Sequence, residues 1–271
     1  MSDPRLTLAR PDLADAALEG VVAAARFAPT TAYRCIAPAS AIRRAPDALA
    51  EQWDQLLFGE TFAVLETADG WAWGQAARDG YVGHVSLADL AKGAAEPTHR
   101  VGALRAYAFS QPDIKSAPAG LYSLNALVRV EAEEGRFAKA SGSGWFVAEQ
   151  LAPVGVFESD PAAVAERFLG APYQWGGRES LGLDCSGLVQ QAFYACGLHC
   201  PRDSDLQSAL GAAVSPDALR RNDLVFWRGH VGLMLDAERL LHANARQMRT
   251  AIEPVAEAIA RIGPPTACRR P

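Results

Sequence analysis

The sequence predicts an α+β protein in which small β-rich units precede a region of helices and antiparallel strands. Three observations predict it: helical apolar spacing near the N-terminus, short alternating runs between residues 58 and 152, and helix patterns followed by strand patterns after residue 160. The chain has 271 residues, whereas one domain usually takes roughly 100–200, so more than one domain is expected.

The first expected element is a helix at residues 12–27, "DLADAALEGVVAAARF". Its apolar residues recur at helical spacing, and an aspartate precedes them as a candidate N-cap. Residues 1–30 are therefore expected to form an N-terminal helical segment.

Two tandem β units are expected to follow. Residues 58–91 hold short alternating runs and the turn pairs Asp69-Gly70 and Asp79-Gly80, which are typical of antiparallel hairpins. A similar pattern returns in residues 124–152, where "RVEAEEGRFA" aligns with "VLETADGWAW" at an offset of about 65 residues. The order of strand, turn, "DGW", strand and "GYVGHV" resembles a bacterial SH3-like domain. One such domain is expected at residues 31–95 and a second at 96–157.

A different pattern begins after the Pro- and Gly-punctuated stretch at residues 151–163. "DPAAVAERFLG" has an Asp N-cap, a Pro at the first helical position and a closing Gly, and "SGLVQQAFYACG" reads as a second helix. Three short strand candidates follow, "DLVFWRG", "HVGLMLD" and "RLLHANA". Residues 158–271 are therefore expected to form one α+β domain.

Composition excludes several classes of partner. The net charge of −5 gives no basic footprint for a nucleic acid, and no apolar run approaches the ~18 residues of a membrane helix. The N-terminus lacks the pattern of a secretory leader, so a cytoplasmic location is expected. The five cysteines are expected to be reduced. The cluster Cys196, His199 and Cys200 lacks a second ligand pair, so neither a metal nor a cofactor is expected.

The stretch "LDCSG" poses the main functional question. Cys185 follows a glycine-rich approach and stands at the start of the second expected helix. The unpaired N–H groups and the dipole at a helix N-terminus favour a thiolate and offer donors to an oxyanion. A cysteine there can equally be a small buried core residue. Taken alone, this segment leaves both interpretations open.

A thiol nucleophile needs a base, and two histidines are placed to supply one. "HVGLMLDAERLLHAN" reads as strand, turn and strand, and a hairpin centred near Asp236 places His230 opposite His242. Directly opposed residues share one face of a sheet, about 5 Å apart at their Cβ atoms. One imidazole can then act on the thiol while the other fixes its tautomer.

The ordered motifs "PYQWGG", "DCSGLVQQAF", "PRDS", "NDLVFW", "HVGLML" and "LLHA" resemble the NlpC family of papain-like cell-wall cysteine peptidases over roughly residues 160–250. The resemblance implies that Cys185 is the nucleophile, His230 the general base and then acid, and His242 the orienting residue. It also implies that Tyr173 lies by the nucleophile and helps hold the oxyanion. The order Cys, His, His differs from that of the permuted relatives, in which the histidine comes first.

Within that family, the tandem SH3-like units resemble a subgroup of γ-D-glutamyl-L-diamino acid endopeptidases that require a free N-terminal L-Ala. The resemblance implies that Asp203 and Ser204 of "PRDS" recognise the amino end of the peptide. A carboxylate pairs with an ammonium, and a hydroxyl adds a directed hydrogen bond. The alternative is that these residues cap a helix running to Leu210, since both are good N-caps.

The subgroup also draws a Tyr and an acidic residue from its first SH3-like domain. Tyr81 matches that Tyr, and Glu60 is the assigned acidic residue, with Glu51 as the other candidate. Three residues beside the nucleophile are assigned to substrate binding with them: Trp175, Asp184 and Ser186.

Three hypotheses for function follow. The first is a cysteine endopeptidase that trims peptidoglycan-derived peptides for recycling. The second is an exported hydrolase that acts on intact wall. The third is a non-catalytic SH3-like binding protein with an inactive peptidase domain, against which an intact Cys185, His230 and His242 argue.

Overall fold

The computed structural model describes residues 3–94 and 96–271, and the chain divides into two compact units that meet in sequence at Val154 and Gly155. The division falls close to the boundary expected at residues 157–158. Across the described residues, no helix has both the length and the hydrophobicity to cross a bilayer.

The expected helix at residues 12–27 was wrong. The segment instead places strand β1 (Ala14–Asp15) parallel to strand β2 (Phe27–Ala28), with only a 3₁₀ turn at Ala16–Leu18 between them. The Asp15 carboxylate caps this turn by accepting the Ala17 N–H at 3.1 Å, but the turn ends at once.

Tertiary packing explains why the helical spacing of apolar residues did not predict the structure of this segment. Leu13 is 1% exposed and is buried with Leu8, Trp73 and Val82 of the same unit. The apolar residues therefore anchor an irregular segment onto a sheet. Helix propensity is a weak preference that such packing overrides.

The first unit begins with a seven-stranded antiparallel sheet in the order β5-β4-β8-β7-β6-β3-β9. The hairpin of β6 and β7 turns at Asp69 and Gly70, whose φ angles are 48° and 82°. Two positive φ values are what a tight hairpin turn requires, as the sequence predicted. The strands of this sheet are β3 (Thr31–Cys35), β4 (Ala39–Arg43), β5 (Gln52–Leu57), β6 (Thr61–Ala68), β7 (Trp71–Ala76), β8 (Val82–Ser86) and β9 (Leu90–Lys92).

The second half of this unit repeats the element order. A hairpin precedes a strand, a 3₁₀ turn and a last strand in both halves, with the turns at Leu87–Asp89 and Ala148–Gln150. That the second half is an SH3-like domain stays a prediction. Its strands form sheets β13-β10-β17 and β12-β11-β16-β15-β14. They are β10 (His99–Val101), β11 (Arg105–Phe109), β12 (Pro118–Ser123), β13 (Leu127–Val128), β14 (Val130–Glu134), β15 (Phe137–Ala140), β16 (Gly144–Val147) and β17 (Leu151–Pro153).

The second unit packs helices against a six-stranded antiparallel sheet in the order β20-β25-β21-β22-β23-β24. Its helices are α1 (Pro161–Glu166), α2 (Cys185–Ala195), α3 (Ser204–Gln207) and α4 (Val255–Ile262). Its strands are β18 (Arg178–Glu179), β19 (Gly182–Leu183), β20 (Ala212–Ala213), β21 (Leu224–Trp227), β22 (His230–Met234), β23 (Arg239–Asn244), β24 (Arg249–Pro254) and β25 (Ala267–Arg270).

The sequence patterns of this unit predicted the starts of α1 and α2, although α1 ends at Glu166 rather than beside Gly170. Asp160 caps α1 through the Ala162 N–H at 3.1 Å, and Pro161 is the first helical residue. Helix α2 ends before Gly197, whose φ is +74°. The three predicted strands are β21, β22 and β23. Every residue of α2 is buried, and the helix packs against β22 and β23.

Candidate active site

Cys185 is the first residue of α2, and Asp184 is its N-cap. The Asp184 carboxylate accepts the Gly187 N–H at 2.8 Å with one oxygen and the Gly176 N–H at 2.9 Å with the other. A Cβ on Gly187 would lie 2.3 Å from the Gly177 carbonyl oxygen, so only glycine allows this close approach. The glycine-rich segment is thus tied to the helix start, and it holds Cys185 in place.

A buried arginine completes this arrangement. Arg202, 1% exposed, donates to the two Asp184 carboxylate oxygens at 3.0 and 2.6 Å and to the Ser186 hydroxyl at 2.9 Å. Substrate binding was expected for Asp184 and Ser186. The polar atoms of both residues have partners inside the protein, because the helix start needs a cap and the buried guanidinium needs acceptors. Their part in substrate binding stays a prediction.

The thiol lies against the strand that carries the candidate base. The Sγ of Cys185 accepts the backbone N–H of Val231, the residue after His230. Burial, and then the Asp184 charge, raise the pKa of the Cys185 thiol to about 12, although Val231, Arg202 and the Ser186 N–H oppose this. The dipole argument from sequence favoured a thiolate. Desolvation outweighs it, so the resting thiol is protonated.

His230 and His242 are brought together, but not as a directly opposed pair. His230 Nε2 lies 2.8 Å from His242 Nδ1. The hairpin pairs Leu233 with Leu241 and Met234 with Leu240, so by the same register His242 faces position 232 rather than 230. The turn is centred one residue later than expected. The resulting offset of two residues keeps both rings on one face, as diagonal neighbours.

His230 is held between His242 and Trp227. Trp227 pairs with His230 across the β21–β22 hairpin, and their ring centroids are 5.8 Å apart. Burial, followed by the neighbouring His242 and Arg261, lowers the pKa of His230 to about 4, against the opposing charges of Glu253 and Asp184. His230 is therefore a neutral imidazole, and the next residue on its strand, Val231, contacts the neutral thiol.

Two residues that the sequence interpretation missed lie behind His242. The Nε2 atom of His242 is 2.8 Å from Glu253 Oε1, and Arg261 donates to both Glu253 oxygens at 2.9 and 2.5 Å. Glu253 lies on β24, which pairs His242 with Ala251. The alternating "RTAIEP" could have indicated a further strand, and period two from Ala251 places Glu253 on the His242 face.

Tyr173 lies on the segment that pairs with the residues leading into α2. Its N–H donates to the Met248 carbonyl at 3.0 Å, and it forms a parallel bridge with Leu183, two residues before Cys185. Burial, and then the nearby Asp184 charge, raise the pKa of the Tyr173 phenol, so the hydroxyl stays protonated and can donate a hydrogen bond.

The remaining assigned residues of this unit lie on the segments around α2 and α3. Trp175 is 60% exposed. Asp203 directly precedes α3, which ends at Gln207 rather than Leu210, and its side chain makes no capping hydrogen bond to that helix. Ser204 is the first residue of α3. The capping explanation for Asp203 is therefore not supported by the hydrogen bonding.

Tyr81 and Glu60 belong to the N-terminal unit. Tyr81 is 3% exposed, and its ring meets Trp53 edge-on with centroids 6.4 Å apart. The Glu60 carboxylate, 1% exposed, contacts Arg78 Nε at 2.5 Å and accepts the Leu57 N–H at 2.9 Å. Glu51, the other candidate, is exposed.

Comparison with known proteins gives a family match within each of the two units. The model of the NlpC/P60 family matches residues 170–261, and that of the bacterial dipeptidyl-peptidase SH3 domain matches residues 42–90. A gamma-D-glutamyl-L-lysine dipeptidyl-peptidase of Bacillus subtilis (strain 168) is 39% identical over 84 residues, 28% of this chain and 28% of the relative. Dipeptidyl-peptidase 6 of Lysinibacillus sphaericus is 31% identical over 99 residues, 36% of each chain. These matches therefore span little more than a third of the relatives' length or less.

The fold is similar to that of solved structures. An NlpC/P60 family protein from Bacillus cereus ATCC 10987 superposes with a TM-score of 0.77 at 20% identity, covering 89% of this chain and 99% of the other. An NlpC/P60 endopeptidase from Photobacterium damselae subsp. piscicida gives 0.60 at 14% identity, covering 88% of this chain and 71% of the other. The chain therefore combines an NlpC/P60 domain with a bacterial dipeptidyl-peptidase SH3 domain that precedes it.

Proposed function

We propose that this protein is a cysteine endopeptidase of peptidoglycan stem peptides. It hydrolyses the bond between γ-D-glutamate and a diamino acid in peptides with a free N-terminal L-Ala, and it serves the recycling of such peptides in the cytoplasm. The observation that carries the proposal is the row formed by the Cys185 thiol, His230 and His242 within an NlpC/P60 domain. The names of the relatives, gamma-D-glutamyl-L-lysine dipeptidyl-peptidase and dipeptidyl-peptidase 6, support the choice of bond.

The chemistry starts from a neutral pair. Since burial raises the thiol pKa and lowers that of His230, the proton leaves the thiol only as sulfur attacks the scissile carbonyl. His230 accepts that proton as general base, and the sulfur–carbon bond forms a tetrahedral intermediate. The developing oxyanion receives hydrogen bonds from backbone N–H groups at the start of α2 and from the neutral Tyr173 hydroxyl.

The second half of the reaction returns the proton. His230, now an imidazolium, donates it to the departing amine of the diamino acid as the carbon–nitrogen bond breaks, which leaves a thioester on Cys185. A water molecule then loses a proton to His230 and attacks the thioester. The acyl carbon leaves as a carboxylic acid, and the thiol regains its proton from the imidazolium. The reaction involves no oxidation or reduction, and water is the only co-reactant.

Asp203 and Ser204 are proposed to recognise the free amino end of the peptide. Asp203 is partly exposed, and a carboxylate at this position could pair with an ammonium in charge-assisted hydrogen bonds. In a stem attached to muramic acid, the same nitrogen is an uncharged amide that carries extra bulk. A free-amine stem should therefore be preferred. That Tyr81 and Glu60 also contribute to substrate binding stays a prediction from the family resemblance.

The test compares initial rates on L-Ala-γ-D-Glu-diaminopimelate and on the same stem with an acylated amine. Charge-assisted hydrogen bonds are worth roughly 1.5–3 kcal/mol, and a burial penalty adds to this, so about 100-fold or more in kcat/KM is expected. Asp203→Asn should reduce cleavage of the free-amine stem much more than cleavage of the acylated one. Asp217→Asn, an exposed aspartate of the same unit, is the matched control and should change neither rate.

Each alternative corresponds to one outcome. Equal wild-type rates on both stems, together with solubilisation of intact sacculi, would replace the recycling proposal by an exported wall hydrolase. If neither substrate is cleaved and Cys185→Ala changes nothing, the protein is a non-catalytic binding protein. Tyr81→Ala, run on the same two stems, tests the part assigned to the SH3-like domain.

A further inference from the structure

The carboxylate of Glu253 and the guanidinium of Arg261 extend the row of catalytic side chains beyond His242. We propose that Glu253, fixed by Arg261, is a positioning residue that sets the tautomers of both histidines, so that His230 presents an unprotonated Nδ1 to the Cys185 thiol. The proposal rests on the proposed function only in taking Cys185 and His230 as the reacting pair.

The sheet register places Glu253 where it can act on His242. Strands β23 and β24 pair His242 with Ala251, and Glu253 lies two residues further on the same face. His230 is the diagonal neighbour of His242 on β22, and Glu253 is its diagonal neighbour on β24. His242 is therefore flanked on both sides. It is 1% exposed, so water cannot substitute for either partner.

The distances between neighbouring groups and their donor and acceptor chemistry indicate where each proton lies. A carboxylate only accepts, so the Nε2 of His242, 2.8 Å from Glu253 Oε1, is the protonated nitrogen of that ring. A neutral imidazole has one donor and one acceptor, so the Nδ1 of His242 accepts. The Nε2 of His230, 2.8 Å away, therefore donates. The Nδ1 of His230 is left with a free lone pair, as a general base requires.

Arg261 keeps Glu253 in its accepting form. Its guanidinium donates to both carboxylate oxygens at 2.9 and 2.5 Å, which fixes the orientation of the group. Burial raises the pKa of Glu253, but the hydrogen bonds and charge of Arg261 outweigh it and lower the pKa below its usual value. The charged groups that face the two histidines are thus Glu253, Arg261 and Asp184.

Without the Glu253 carboxylate as acceptor, the tautomers of His242 and His230 are no longer determined. His242 could then carry its proton on Nδ1, which would turn the His230 Nε2 into an acceptor and place the His230 proton on Nδ1. A protonated Nδ1 cannot take the proton of the thiol. Loss of Glu253 should therefore lower the fraction of protein in which His230 is a competent base, and leave substrate affinity alone.

The test reads the tautomers directly, by ¹⁵N NMR of the histidine side chains in the full chain without substrate. Wild type should show both His230 and His242 protonated at Nε2. Glu253→Gln should show a second population with His242 protonated at Nδ1. Glu257→Gln, an exposed glutamate on the same helix as Arg261, is the control and should keep the wild-type pattern. A wild-type His242 protonated at Nδ1 would overturn the proposal by itself.

Two reactivity measurements complete the test. In Glu253→Gln, kcat on a stem peptide should fall roughly 10- to 100-fold at unchanged KM, the loss known for outer hydrogen-bond partners of metal-bound histidines. The pH profile of Cys185 modification by methyl methanethiosulfonate, located by peptide mass spectrometry, should shift as well. Unchanged tautomers and an unchanged modification profile would overturn the proposal even in a less stable variant. Arg261→Gln, which keeps the carboxylate but releases it, should give a smaller change in the same direction.

The outcomes separate this inference from the proposed function. The NMR and thiol readouts need no peptide, so a protein that cleaves no stem peptide can still confirm or contradict the role of Glu253. Conversely, a wild-type enzyme that cleaves the free-amine stem with the wrong tautomers would retain its proposed function and lose only this inference.

Discussion

Two carboxylate–arginine pairs support the two ends of the candidate active site, and they differ in burial and in what they hold. Asp184 and Arg202 are both almost wholly buried, with side chains 8% and 1% exposed. Glu253 is 11% exposed, while Arg261 is 28% exposed. The first pair thus lies in the interior, and the arginine of the second reaches solvent.

The other ligands of each carboxylate show the difference in role. Asp184 accepts backbone N–H groups from Gly176 and Gly187, so it fixes the path of the chain at the start of α2. Glu253 contacts a side-chain nitrogen of His242, so it fixes a ring and a proton. The same pair of functional groups therefore supports the backbone in one place and acid–base chemistry in the other. The first should affect stability most, and the second activity.

The largest expected effect concerns the reacting groups between the two pairs. Cys185→Ala should lower turnover of a stem peptide by about 10⁴-fold or more, because residues that act as a unit fail together. His230→Ala should be nearly as severe. Stability should change by no more than about 1–2 kcal/mol for Cys185→Ala. Cys196→Ala is the control and should keep activity. Residual turnover in Cys185→Ala would show that neither pair supports a thiol mechanism.

The next prediction compares how much each carboxylate–arginine pair contributes to the free energy of unfolding. Arg202→Ala leaves the Asp184 carboxylate buried without its counter-charge, so the free energy of unfolding should fall by about 3–5 kcal/mol. Arg261→Ala removes a partly exposed partner and should cost no more than about 1 kcal/mol. Urea unfolding followed by circular dichroism measures both. Equal losses would remove the distinction between a structural and a catalytic pair.

The third effect is a loss of stability in acid that originates at the histidine end. His230 and His242 have lowered pKa values in the fold, so the unfolded chain binds more protons than the folded one between the two pKa values. Stability is then complete above about pH 6.5 and falls as the pH drops towards 4. The His230 shift from 6.5 to about 4 corresponds to roughly 3 kcal/mol. Melting temperatures from pH 7.5 to 4 should show a shallower loss in His230→Gln than in wild type.

The smallest effect tests what His242 itself must provide. Gln at position 242 can accept the His230 Nε2–H with its carbonyl oxygen and donate to Glu253 with its amide, so it preserves the order of protons. His242→Gln should keep partial activity, within roughly 10- to 100-fold of wild type. His242→Leu fills similar space without either hydrogen bond and should lose considerably more. Equal, complete loss in both would assign His242 a role beyond orientation.

The parts of this site that sequence predicted are those determined locally. The start of α2 at Cys185 follows from an N-cap and glycines within a few residues, and the hairpin with His230 and His242 follows from alternation around a turn. The exact centre of that turn could not be predicted from the alternation. The Asp236 carboxylate accepts the N–H groups of Glu238 and Arg239 and shifts the turn by one residue.

The parts that sequence missed depend on contacts between distant segments. Glu253 reaches His242 only through the register of β23 and β24, which a single strand pattern does not contain. The ion pair between Asp184 and Arg202 could not be predicted from the segment "LDCSG", because Arg202 is 18 residues away in the chain. The helix expected in the N-terminal segment was wrong for the same reason, since the burial of Leu13 against Trp73 determines the conformation of that segment.

The protonated state of Cys185 has a consequence for oxidative damage. Peroxide and related oxidants attack thiolates, and susceptibility follows thiolate character together with exposure. With a thiol that is 7% exposed and a pKa raised to about 12, the resting protein should react with such oxidants only slowly. In the proposed mechanism, the sulfur loses its proton to His230 only as it attacks a bound peptide. Sulfenic acid formation should therefore be slow in the substrate-free protein, and covalent inhibitors that resemble the peptide should react faster than small reagents of equal intrinsic reactivity.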